Sequence, residues 1–247
     1  MMIGQSFVLN AVYQLSKWKR EIKMSLIAKS KANEGGEFVQ VPVGNHLSRC
    51  YRIVDMGTQK KLVQGNIKFQ RTVMLSFEVH GEDNKGQPML TEKGDPLSIS
   101  RDYNLTLNEA SHLAKHLESW RGAKFNDAER AGGFDIKKIL GVWGMINVTS
   151  SVSQKNGKTY HNIDGIMPVP KMVKDSGLPE PHNEIQFFGM QHDEENPDIK
   201  PDLNVFNNLS QYFQNKIKES PEWSSWFGDK KTTKSHQDDE FNDDIPF

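Results

Sequence analysis

The run Lys68-Phe69-Gln70-Arg71-Thr72-Val73-Met74-Leu75-Ser76-Phe77-Glu78-Val79-His80-Gly81 decides the fold class. Phe69, Val73, Leu75, Phe77 and Val79 fall on one face, and Lys68, Gln70, Thr72, Met74, Ser76, Glu78 and His80 fall on the other. A period of two marks a β-strand with one face against a core, because successive side chains point to opposite sides of the pleat. Phe69 and Phe77 are therefore expected inside.

Further strand-like runs lie on either side. Gly44–Met56 forms the first and Gly57 stops it, which leaves Lys60 and Lys61 in the first interstrand loop. The polar stretch 82–95 leads to a third strand over Leu97–Leu105. A helix follows, with Leu113, His116, Leu117 and Trp120 on one stripe and Gly122 as its stop. Thr106, three residues before Glu109, has the capping-box spacing for its start. Shorter helical pieces fit Asn126–Ala131 and Asp135–Leu140. Strand-like runs at Val142–Val152 and Lys158–Met167 flank Asn156-Gly157, a strong hairpin signal. Three strands, a helix and a two-stranded hairpin are the element order of an OB-fold, a small, partly open five-stranded barrel with the helix at one end. The expected class is mainly β with helices, and 25–170 is the barrel domain.

The flanks read differently. Residues 1–24 place Val8, Val12, Leu15, Trp18 and Ile22 at helical spacing among basic side chains. This extension fits a membrane-surface helix or an upstream segment ahead of Met24-Ser25-Leu26-Ile27 about equally. Residues 171–202 are proline-rich and acidic, a linker with an apolar island at 185–190. Phe206, Leu209, Phe213 and Ile217 put a helix over 203–219, with Asp202 at its start and Pro221 after its end. Trp223, Trp226 and Phe227 add an aromatic cluster to a 203–227 unit, and 228–247 is expected to be a disordered tail.

The net charge of -1 hides an asymmetry: residues 1–24 carry +3, residues 25–170 carry +4 and residues 171–247 carry -8. A basic body suits an anion and an acidic tail suits a cation. The single cysteine, Cys50, rules out an internal disulfide framework and any zinc site of two or more thiolates. A mean hydropathy of -0.67 with no long apolar run speaks against a membrane span, and a cytoplasmic location is expected.

The sharpest local signal is Asp238-Asp239-Glu240-Phe241-Asn242-Asp243-Asp244-Ile245-Pro246-Phe247. Five carboxylates precede an apolar tip in which Pro246 restricts the backbone and Phe247 can fill a pocket, which describes a peptide ligand for a basic, apolar surface. The ending Asp243-Asp244-Ile245-Pro246-Phe247 resembles the C-terminal tip of bacterial single-stranded DNA-binding proteins. That resemblance implies recruitment of replication, recombination and repair proteins. The body resembles a bacteriophage family of OB-fold single-stranded DNA-binding replication proteins. It does so through Val41-Pro42-Val43-Gly44, Val54-Asp55-Met56-Gly57-Thr58-Gln59, Phe77-Glu78-Val79, Leu117-Glu118-Ser119-Trp120-Arg121-Gly122, Gly133-Phe134-Asp135 with Leu140-Gly141, and Gly157-Lys158-Thr159-Tyr160 through Pro168. It implies sequence-tolerant single-strand binding in phage replication or recombination, in the bacterial host's cytoplasm.

Gripping a single strand takes cations along its phosphates and flat rings for its bases. The candidates are Arg49, Tyr51, Arg52, Lys60, Lys61, Lys68, Arg71, Arg101, Tyr103, Trp143, Lys155, Lys158 and Tyr160. Both being polyanions, tail and DNA are expected to compete for one basic groove. His112 and His116 stand four apart on the helix but lack an evident third ligand. Asp55, Glu78 and Asp102 sit on separate strands, so neither a metal, a cofactor nor an enzyme is expected. The alternatives are an OB-fold adaptor acting on host replication proteins and a strand-annealing protein; self-association stays open.

Overall fold

The computed structural model describes residues 39–63, 65–154, 156–191 and 200–228. The extension at 1–24, Lys155 and the tail from 229 lie outside these residues.

Six strands form one mixed, open sheet: β1 (Gly44–Val63), β2 (Asn66–His80), β3 (Ser98–Asn104), β4 (Trp143–Val152), β5 (Thr159–Met167) and β6 (Gln186–Phe188). The antiparallel order is β3-β2-β1-β4-β5. Long β1 makes this order possible. It pairs with β2 along one edge, while its other edge takes β4 over Gly44–Arg49 and then, in parallel, β6 over Arg52–Val54. Register breaks around Tyr51 and Met56 bend it. The bending brings β3 and β5, the edges of the main order, to within 8 Å of each other, Cα to Cα.

The inner face carries the alternation read from the sequence. Val73, Leu75, Phe77 and Val79 pack with Ile53, Ile146, Val148, Ile163 and Ile166. Helix α1 (His112–Arg121) adds Leu113, Leu117 and Trp120 to this core. Its cap is Ser111, whose side chain accepts from the Ala114 amide, so the expected start at Thr106 is five residues early. Thr106 instead accepts from the Asn108 amide in a turn before the helix. Gly122 ends α1 with φ +74. Gly144 lets α1 lie close to β4: a Cβ there would meet the Trp120 indole nitrogen at 2.6 Å. The Trp120 Nε1–H donates to the Trp143 carbonyl at 2.9 Å. Helix α2 (Asp127–Gly132) follows with the capping box of Asn126 and Glu129.

At one end of the sheet, the Tyr103 hydroxyl of β3 lies 2.9 Å from Nδ1 of His116, whose ring also bonds the backbone of Asp164 on β5. This chain of contacts joins the two sheet edges through α1. It gives His116 a packing role, and among the described residues no three His, Cys, Asp or Glu side chains gather as metal ligands do.

The outer face departs from expectation. Val54, Met56 and Met74 are covered by Phe188, Met190, Phe206, Leu209 and Ile217, a second core absent from the sequence reading. The stretch read as a linker supplies helix α3 (Lys171–Asp175) and β6. The helix expected over 203–219 is two pieces, α4 (Leu203–Asn207) and α5 (Gln211–Lys218), followed by α6 (Pro221–Phe227). Asp202 does cap α4, accepting from the Asn204 amide. The Trp226 indole donates to the Met190 carbonyl at 2.8 Å and ties α6 to the segment after β6. Among the described residues no helix is long and apolar enough to cross a membrane.

Candidate nucleic-acid interface

The first interstrand loop expected around Lys60 and Lys61 is a two-stranded ribbon. β1 runs through Gly57 to Val63, and β2 starts at Asn66. Gly57 permits this because it holds φ +68 and has no Cβ, which would stand 2.4 Å from Ser220 Oγ. Directly opposed residues of an antiparallel pair share a face. Lys60↔Phe69 and Leu62↔Ile67 make one face, and Lys61↔Lys68 makes the other. Phe69 is 69% exposed, Leu62 75% and Ile67 54%. The expectation that Phe69 packs in the core is corrected here: it has the right parity, but it stands on the ribbon beyond the layer that α1 closes.

The C-terminal helices brace the ribbon's base. Glu222 of α6 accepts from the Thr58 amide at 2.8 Å and from the Thr58 hydroxyl at 2.6 Å. The Gln59 amide donates to the Lys216 carbonyl at 3.0 Å. Arg71 pairs with Asp55 at 2.5 Å. Burial opposes ionisation of Glu222, but the Thr58 bonds outweigh it and hold the carboxyl below the usual range. Lys61 bonds Asn104 at 2.6 Å, and its partial burial lowers its pKa, Asp102 opposing this and Lys216 adding to it. Lys60 and Lys68 are exposed.

Lys158 and Tyr160 stand on the β4–β5 hairpin, which pairs with the opposite end of β1 from the ribbon. Lys158 is exposed. Tyr160 is 44% exposed, and its hydroxyl accepts from Asn156 at 2.8 Å. Nearby, Asn162 donates to Ser151 and Asn147 to Asn45, which leaves a polar strip along this hairpin.

The other candidates have structural partners. Arg49 is buried and donates to Glu78 at 2.9 Å and to the Asn183 carbonyl at 3.0 Å. Burial pushes the Glu78 carboxyl up, but Arg49, the backbone and side chain of Asn183, and His80 pull it below the usual range. Tyr51 is buried, with the Arg52 guanidinium 5.4 Å from its ring. Arg52 also reaches Ser76. Tyr103 is buried, with Arg101 over its ring, and burial pushes its phenol pKa up. Trp143 is half-buried against His80. Arg49, Tyr51 and Tyr103 thus cannot face a ligand without opening the fold. Asp55 and Glu78 are each paired with an arginine and do not meet Asp102 in a carboxylate cluster.

The structure brings Lys60, Lys61, Lys68 and Arg71 onto one ribbon and adds Leu62, Ile67 and Phe69, which the sequence reading missed as surface. The signal for them is Gly65-Asn66 between two runs that pair residue for residue. No family model matches this chain, and no curated protein does.

Proposed function

We propose that this chain is a sequence-tolerant single-stranded DNA-binding protein of OB-fold type, serving phage DNA replication or recombination. One observation carries the reading: the ribbon presents exposed Phe69 opposite Lys60, with Lys61 and Lys68 paired on its other face. Cations neutralise phosphates and a bare ring stacks on bases without reading their edges, the chemistry of sequence-tolerant binding. The element order, β1 shared between β2 and β4, and the approach of β3 to β5 support the barrel. In that fold the first and fourth interstrand loops flank the ligand; here they are the ribbon and the Lys158–Tyr160 hairpin. Asp243–Phe247 would recruit replication, recombination or repair proteins in the host cytoplasm.

The test is binding of a labelled oligothymidine to the full chain across a salt series. Affinity should fall steeply with salt, and Lys60→Glu with Lys68→Glu should weaken it at least ten-fold. No binding at low salt overturns the reading. The covered outer face, where β6 and α4–α6 lie over Val54 and Met74, favours a second reading, an adaptor whose apolar ribbon meets protein. It predicts no oligonucleotide binding at low salt.

A further inference from the structure

A concave site lies away from the exposed ribbon, between α1, the loop after it, the start of β4 and α3. It is a cavity of about 390 Å³, the size of a small-ligand pocket. Trp120, Phe125, Phe134 and Trp143 supply aromatic walls, and Leu117 and Ile139 apolar floor. Three cations stand at it: Arg121, Lys138 and Lys174. Arg121 lies 4.5 Å over the Phe125 ring and bonds Glu129 at 2.9 Å. Lys138 and Lys174 are exposed, and neither joins an ion pair among the described residues.

We infer that this pocket is the dock for the chain's own segment Asp243-Asp244-Ile245-Pro246-Phe247. The inference rests on that segment being a peptide ligand, and not on the ribbon's DNA chemistry. Three observations select the occupant. First, the pocket pairs an apolar hollow with a cationic rim, and the segment pairs apolar Ile245, Pro246 and Phe247 with two carboxylates, three more lying at Asp238, Asp239 and Glu240. Second, the walls are rings and aliphatic chains, and the Trp120 N–H already serves the Trp143 carbonyl. A nucleobase would bury its polar edges here without partners, whereas the Ile-Pro-Phe side chains have none to bury. Third, at about 3.4 Å per residue the fifteen residues 229–243 could span at most about 50 Å, enough to cross a domain of this size. The hollow at the ribbon's base, lined by Arg71, Met190, Pro221 and Glu222, offers one cation that is already paired with Asp55 and a carboxylate that repels the acidic segment, so the pocket by α1 is the better fit. Docking would hold the recruiting segment at rest on the α1 side and leave the ribbon open to DNA.

The probe is a fluorescein-labelled peptide of sequence 238–247, titrated by anisotropy onto full-length protein carrying Phe247→Ala, which disables the resident segment. Saturable binding is expected, weakening with salt and at least five-fold weaker for a peptide with Phe247→Ala. Lys138→Glu with Lys174→Glu, both exposed and away from the core, should weaken it at least five-fold; Lys60→Glu with Lys68→Glu should leave it within two-fold. Absence of saturable binding overturns the proposal. So does loss with the ribbon pair and not with the pocket pair, which would place the segment on the DNA-binding cations. Oligothymidine binding to the same proteins is read in parallel. If it fails while the peptide binds, the DNA reading falls alone; if the peptide fails while DNA binds, the dock falls alone.

Discussion

The β1–β2 hairpin has two halves with opposite fates. In the proximal half, Arg49 faces Glu78 and both are sealed beneath the segment around Asn183. In the distal half, Lys60 faces Phe69 and Lys61 faces Lys68, and Phe69, Leu62 and Ile67 are exposed, with no layer packed above them among the described residues. The same two strands thus carry basic residues as internal fastenings at one end and, in Lys60 and Lys68, as exposed surface at the other. Residue type alone does not separate a structural cation from a ligand-binding one. What separates them is whether another segment covers the strand pair.

The largest effect should come from the buried end. Glu78→Gln keeps the shape but leaves the Arg49 charge buried without its partner, which costs about 3–5 kcal/mol. A denaturant midpoint measures it. A loss under 1 kcal/mol would mean that the covering segment lifts readily and Arg49 is available to a ligand after all.

Next comes a pH effect in the contact that joins the two sheet edges. Burial first, then Arg101 and His112, push the His116 pKa from 6.5 down to about 4, against the opposing pull of Asp164. The unfolded chain therefore binds a proton near pH 6.5 that the folded chain refuses until about pH 4. Stability from this group is complete above 6.5 and is lost as pH falls towards 4, by up to about 3 kcal/mol. His116→Gln, which can still accept from Tyr103, should flatten this part of the stability–pH curve. An unchanged slope would place the acid sensitivity elsewhere.

Phe69→Ala carries the comparison to the exposed end. It should weaken oligonucleotide binding by about 1–3 kcal/mol, the worth of one stacked base. Stability should move by no more than about 0.5 kcal/mol, as for other surface changes. If stability falls by more than 2 kcal/mol with binding intact, Phe69 packs against something and the two halves of the hairpin are alike.

The proximal half was legible because its signal is local. The period of two from Val73 to Val79 fixes its geometry within a few residues, as the Asn156-Gly157 turn does for the β4–β5 hairpin and the Gly122 stop for α1. The distal half was not, because Gly57 reads as a stop and acts as a bend. Its positive φ and missing Cβ make room for Ser220, a residue far along the chain. Phe69 kept the core parity, yet parity says which way a side chain points and not whether anything lies there. β6 is three residues long and owes its strand character to pairing with Arg52–Val54, which no local pattern encodes. The second core escaped for a related reason. Met74 is one apolar residue on a polar face, and its burial depends on helices more than a hundred residues downstream. Of the candidate site, the lysines of the ribbon could be named but not grouped, since their register across the turn is a tertiary fact.

The smallest expected effect is the most diagnostic of a free cation. Lys68 is exposed, and its directly opposed neighbour is another cation, Lys61. Lys68→Gln removes a like-charge neighbour, so stability should hold or rise by a few tenths of a kcal/mol. If Lys68 meets one phosphate, the log–log salt dependence of binding to a single strand should become shallower by about 0.7. An ion pair or buried role would give the reverse: a loss of stability and no change in slope. The contrast between the two ends of one hairpin therefore comes down to two signs in one substitution, each read in a separate measurement.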